Sequence, residues 1–275
     1  AVCHHSACRT LPLVVHISDQ FLGVHTHQSG DERSDDKKIA GSGNRFDLPL
    51  LLLICVMTES RKHVILYVHG MGGGGDSRIP SILKDNLGPD FEVVIRTYDF
   101  DPEVAHNQLA AWAKEVRPDL VIGESMGATH AIALRGYPHL FVSPSLNAPR
   151  YFVALAWMTL IPGVTALFDR IYRPRPGDRQ KLHFTYKPLR KWKKVYAEAM
   201  LNAPCNGGKD YFHAFFGPRD HYRRSGVVSI RTWKKYFGDG TWTIYDGTHF
   251  MEYEYVISLL IPKIHEVLGI CPSGA

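Results

Sequence analysis

From residue 63 onward the sequence predicts an α/β domain, a mostly parallel sheet of about six strands with helices on both faces. Two observations carry this. Short, nearly continuous apolar runs recur, as strands buried on both faces show. Segments of helical period lie between most of them, as parallel crossovers require. The chain has 275 residues, 45% hydrophobic and 21% charged, enough for one large domain with a sizeable core.

The first run is His63 to Val68 (HVILYV), and Phe91 to Thr97 (FEVVIRT) is the second. Asp119 to Ile122, Leu140 to Ser143, Tyr211 to Phe216 and Thr241 to Tyr245 follow. Between the first two, Ser81 to Leu87 reads as a helix with Pro80 near its first turn, where the missing N–H costs nothing. Glu103 to Val116 is a second helix, closed by Pro118 because the residue before a proline is pushed out of helical geometry. Met126 to Arg135 is a third, stopped by Gly136 and Pro138. Phe250 to Leu268 is the last, with Pro262 expected to kink or break it. Pro144 to Asp210 is too long for a structureless connection. Its apolar and aromatic front, Tyr151 to Phe168, predicts a helical insertion at about 147–209, over one end of the sheet.

Residues 1–56 show no sustained period of 2 or 3.6. Met57-Thr58-Glu59-Ser60-Arg61-Lys62 leads directly into the first strand, so 57–275 reads as the domain and 1–56 as a dispensable extension. Deleting residues 1–56 should therefore leave a folded, active protein. Aggregation or lost activity of the truncated chain would instead make residues 11–24 edge strands of the sheet.

Composition narrows the classes. No stretch approaches the roughly 20 apolar residues of a spanning helix. The run Leu48 to Met57 is placed too deep in the chain, and lacks the cleavage signal, for a secretory leader. Five cysteines at irregular spacing read as reduced thiols of a cytoplasmic protein. Cys3-His4-His5 and Cys8 lack the second ligand pair of a zinc site, so no metal and no cofactor are expected. The formal charge is +5, with ten basic residues between Arg170 and Lys194 against one acid, Asp178. This reads as a solvated face rather than a nucleic-acid surface. Reversing Lys191, Lys193 and Lys194 is accordingly expected to be nearly silent.

Gly123-Glu124-Ser125-Met126-Gly127 matches G-x-S-x-G between an apolar strand and a helix of small residues. That setting demands a sharp turn presenting the serine hydroxyl, with glycines where a Cβ would clash. Ser125 is the candidate nucleophile. An oxyanion needs two backbone N–H donors. Met126 follows the nucleophile, and the loop His69 to Gly75 after the first strand offers Met71, or Gly72 next, with Gly70 and Gly72 facing the substrate.

Strand–HG-x-G, strand–GESMG–helix, then a late acid and a later histidine resemble the α/β-hydrolase superfamily, in particular its small single-domain bacterial esterases. The resemblance covers 63–268. It implies an α/β-hydrolase-like sheet with a helical lid insertion, and the order Ser…Asp…His. Asp220, after the fifth strand, takes the acid's place, and His249, after the last strand, takes the histidine's. Asp99 is the alternative acid; His221 and His265 are the rival bases. The implied activity is cleavage of a carboxylic ester, or a related acyl bond, through an acyl-enzyme, with a small-molecule acyl substrate. Tyr151, Phe152, Trp157, Met158, Leu160 and Phe168 would either form an acyl pocket, with Trp157 touching substrate, or only pack the insertion onto the sheet.

Two other functions compete. Gly70 to Gly75 also fits G-x-G-x-x-G after a strand, with Asp99 ending the next strand, as in NAD-binding enzymes. Against it, Pro80 would fall inside the helix that must begin within the glycines. The other is a non-catalytic protein of the same fold that binds through its basic insertion. A P-loop is excluded, because no Gly-Lys-Ser/Thr follows the glycines.

Overall fold

The computed structural model of the chain describes residues 61–174, 176–203 and 212–270. The expectations for residues 1–56, for Met57 as a start and for Cys3 to Cys8 lie outside the described residues, as do 204–211 at the end of the expected insertion.

Six strands form one sheet: β1 (His63–Val68), β2 (Phe91–Ile95), β3 (Leu120–Glu124), β4 (His139–Val142), β5 (Phe212–Phe216) and β6 (Trp242–Ile244). Their order is β2-β1-β3-β4-β5-β6, and every pairing is parallel, with Leu66 opposite Val121, Glu124 opposite Val142 and Phe215 opposite Thr243. Alternation along β1 splits the core in two. Leu66 and Val68 point into one apolar cluster, Ile65 and Tyr67 into the other, as the period of 2 dictates.

The first cluster is covered by α2 (Pro102–Val116), α3 (Gly127–Ala133), α6 (Tyr186–Asn202) and α8 (Ile230–Phe237). The second is covered by α1 (Arg78–Asn86) and the C-terminal helices. Pro80 sits in the first turn of α1, and the Asp101 side chain caps α2 by accepting the Glu103 N–H. The C-terminal stretch runs as α9 (Tyr253–Tyr255), a π-helical turn (Val256–Leu260) and α10 (Ile261–Leu268). Pro262 falls in the first turn of α10, and the wider π-helical turn precedes it, so the expected break is a local change of winding. The helix α8 was not expected. Its signals are Ser229, whose hydroxyl accepts the Thr232 N–H, and the helically spaced Ile230, Trp233 and Phe237, all in the first cluster.

Between β4 and β5 lie α4 (Ala148–Met158), α5 (Val164–Ile171) and α6. These helices are held unequally. Leu189, Trp192 and Val195 of α6 are buried, two of them in a third cluster with Phe100, Met126, Phe152 and Phe184. Each such side chain contributes about 1.5–3 kcal/mol when fully buried. α5 buries no residue. It is held by Phe168 against Phe184 and by the Thr165 hydroxyl, which donates to the Phe184 carbonyl.

Most described basic residues of the segment 170–194 are exposed, and several of them are paired. Lys191 Nζ lies 2.7 Å from Asp101 Oδ2 and 3.1 Å from Glu103 Oε2, and Lys194 reaches Glu103 and Glu198. Arg179 pairs with Asp76, and Arg190 lies over the rings of Trp157 and Tyr186. Glutamates at 191, 193 and 194 would therefore confront the capping acid of α2. Thermal unfolding should show a lower Tm for the triple reversal while KM for a neutral ester stays unchanged; an unchanged Tm would make these pairs energetically idle.

Candidate active site

The turn after β3 has the geometry the glycines foretell. Ser125 has φ +50°, a left-handed conformation that is uncommon for a residue with a side chain and clusters at functional sites. It is locked by its N–H donating to the Val142 carbonyl and its own carbonyl accepting from the Ser145 N–H. A Cβ at Gly127 would stand 2.4 Å from the carbonyl oxygens of both Val68 and His69, so only glycine lets α3 start this close to β1.

Three expected residues from distant parts of the chain meet here. His249 Nε2 is 2.9 Å from Ser125 Oγ, and His249 Nδ1 is 2.7 Å from Asp220 Oδ2. Asp220 caps α7 (His221–Arg224) and accepts the Tyr222 N–H on Oδ1, which leaves Oδ2 for the imidazole. Both Asp220 and His249 are buried. Ser125 Oγ also lies 3.1 Å from Ser145 Oγ, a neighbour that sequence reasoning missed.

The rivals are elsewhere. The His221 ring lies tilted against Tyr222, its centroid 6.0 Å from that of His249. His265 lies on α10 beside Phe91. Asp99 accepts the Asp101 N–H and helps lead the chain into α2.

The serine and histidine open into a cavity of about 730 Å³, which Gly70, Met71, Gly72 and Met126 also line. A Cβ at Gly70 would fall 3.0 Å from Ser125 Cβ, so this loop passes directly beside the serine. Tyr151 and Phe152 line the cavity as well, with Leu182 and Val227. Trp157 does not line it. That ring is more than half exposed and packs edge-on against Tyr186, because residue 157 falls on the outward side of α4 while Phe152 and Ala156 face inward. Met158 and Leu160 also face outward, and Phe168 packs beneath α5.

Beside Ser125 the buried Glu124 carboxyl accepts the Tyr67 hydroxyl at 2.8 Å. Burial drives its pKa upward, partly offset by that hydrogen bond. Burial likewise pushes His69, at the start of the glycine loop, down to about 4.

No protein-family model matches the chain, and no curated protein matches it. Solved structures do. A monoacylglycerol lipase of Paleococcus ferrophilus matches over 76% of this chain and 96% of its own, with a TM-score of 0.51 and 15% identity. Est1E of Butyrivibrio proteoclasticus, solved with ferulic acid bound, matches over 76% and 90%, at 0.52 and 13%. The chain has the α/β-hydrolase fold.

In this α/β-hydrolase fold the glycine loop is already filled from the protein side. A Cβ at Gly74 would lie 1.7 Å from the Asp178 carbonyl oxygen, and one at Gly75 would lie 2.3 Å from Asp178 Oδ2. Gln180 donates its N–H to the Gly73 carbonyl and accepts the Gly72 N–H on its side chain. The glycines thus admit the segment between α5 and α6 where a dinucleotide reading needs a pyrophosphate. The helix after them starts at Arg78, past the glycines rather than within them. Both facts remove the basis of the NAD reading. Among the described residues no cluster of His, Cys, Asp or Glu could hold a metal ion, and no helix is long and apolar enough to cross a membrane.

Proposed function

We propose that this chain is a serine hydrolase that cleaves a carboxylic ester through an acyl-enzyme. The observation that carries the reading is the run of short contacts Ser125 Oγ–His249 Nε2–His249 Nδ1–Asp220 Oδ2 at the floor of the cavity. Neutral His249 takes the Ser125 proton on Nε2 as Oγ attacks the acyl carbon, then returns it to the departing alkoxide. Asp220 holds the tautomer with the proton on Nδ1 and stabilises the imidazolium. The carbonyl oxygen becomes an oxyanion and is received by the N–H groups of Met126 and Met71, with Gly70 lying against the substrate. Water, deprotonated by the same histidine, then releases the acid.

Phe152, Leu182 and Val227 along the cavity favour an apolar acyl chain. The test is labelling with a fluorophosphonate, followed by a p-nitrophenyl ester series of increasing chain length. Covalent modification at Ser125 and hydrolysis of at least one ester are expected. A chain that takes no label would be a non-catalytic protein of this fold.

A further inference from the structure

The outer surface of the insertion is unusually apolar for a face in contact with water. Trp157, Met158, Leu160, Ile161, Leu167 and Ile171 are each between 50 and 60% exposed, and all fall within α4's last turn, the connection after it and α5. Scattered apolar side chains on a surface need no explanation, but a cluster marks something that covers it. α5 makes the case sharpest. Phe168 and Asp169 turn inward, the latter to His183 Nδ1 at 3.1 Å, while Leu167, Arg170 and Ile171 turn outward.

Charge indicates the occupant. Arg170 sits among these apolar side chains and Arg173 follows them. Among the described residues neither guanidinium has an acidic partner, whereas the nearby Arg179 and Lys191 do. A second copy meeting this face symmetrically would bring its own Arg170 and Arg173 against these, like charge on like. A surface that is apolar below and anionic above suits both groups: the aliphatic side chains enter the acyl region and the guanidinium groups meet phosphates.

We propose that the outer face of α4's end and α5 docks on an anionic lipid surface. The face is continuous with the cavity, because Ile171 and Arg173 also line it. Docking therefore turns the cavity mouth toward the lipid. The proposal concerns binding and stands apart from the chemistry assigned to Ser125.

The test is co-sedimentation of the full chain with vesicles of phosphatidylcholine alone or mixed with phosphatidylglycerol. The Ser125→Ala chain is run in parallel to keep binding separate from turnover. Binding to the mixed vesicles is expected for both chains, at least about tenfold weaker on phosphatidylcholine alone and weakened by salt. The triple variant Leu160→Gln, Ile161→Gln, Leu167→Gln should lose binding about tenfold or more, with an unchanged far-UV spectrum because all three side chains face water. Arg170→Gln should weaken it on mixed vesicles only. Failure to bind either vesicle would overturn the proposal, as would equal binding to both. A dimer in sedimentation velocity that the triple variant abolishes, without vesicle binding, would assign the face to a second copy.

Discussion

Under the proposed function, Ser125→Ala should lower ester hydrolysis by about 10⁴-fold or more, since it would remove the nucleophile and with it the acyl-enzyme route, and leave only what the cavity and backbone donors contribute. The fold should survive, although the substitution is not neutral for the backbone. Alanine must hold the φ of +50° as serine does, so the strain is the same in both. The hydroxyl's own contacts are to His249 and Ser145, at the floor of an open cavity. Unfolding in denaturant should therefore give nearly the wild-type midpoint. Fluorophosphonate labelling should vanish with activity. Retention of more than about a tenth of wild-type turnover would move the nucleophile elsewhere, and Ser145 would be the next to test.

Acid should destabilise the protein well before its carboxylates titrate. His69, His130 and His139 are fully buried, and burial pushes them down to about 4, 3 and 4 respectively. His130 lies beside Tyr98 and Trp192, and its lowered value is reinforced by the charges of His106 and His69. In the unfolded chain each would titrate near 6.5. Folded-state values below the unfolded one mean that the unfolded chain binds more protons as pH falls. The stabilisation is thus whole above about pH 6.5 and is lost between there and about pH 4. Each buried histidine contributes a slope of up to about 1.4 kcal/mol per pH unit, so three remove about 6 kcal/mol by pH 5. That is comparable with the whole stability of an ordinary domain. Urea titrations at pH 7, 6 and 5 should show the midpoint falling steeply, and His130→Leu should flatten the fall. A midpoint constant across that range would mean that these rings are protonated in the folded chain.

Much of this was legible in one dimension because the signals are local. The strands announce themselves as apolar runs, and the run Gly123 to Gly127 announces a turn whose steric demands are met within five residues. The approach of Ser125, Asp220 and His249 could be expected only through a resemblance, since nothing in the spacing of residues 125, 220 and 249 dictates that they converge. The expected placement of Trp157 failed, and the pairing of Lys191 was not foreseen, for a related reason. Trp157 and Lys191 both sit in the insertion, where the period of the apolar residues does not reveal which side meets the cavity and which meets water. Trp157 turned outward, and Lys191 found Asp101, ninety positions earlier in the chain. Ser229 and Trp233 did carry the signal for α8, but in a segment too short for its period to stand out.

The glycine loop and the turn at Ser125 are each stitched to the chain in or beside the insertion, close to the serine. Gln180 donates its backbone N–H to the Gly73 carbonyl and accepts the Gly72 N–H on its side chain, and Ser145, just ahead of α4, donates its backbone N–H to the Ser125 carbonyl. Under the proposed function, substrate preference and turnover are for that reason not separable cassettes in this chain. A chimera that imports a foreign segment between Ser145 and Gln180 would also relax the backbone that carries Ser125 and the glycine loop. Directed evolution aimed at new substrates should meet less resistance at Leu182 and Val227, which line the cavity and are only partly buried, so their side chains can change without breaking either stitch.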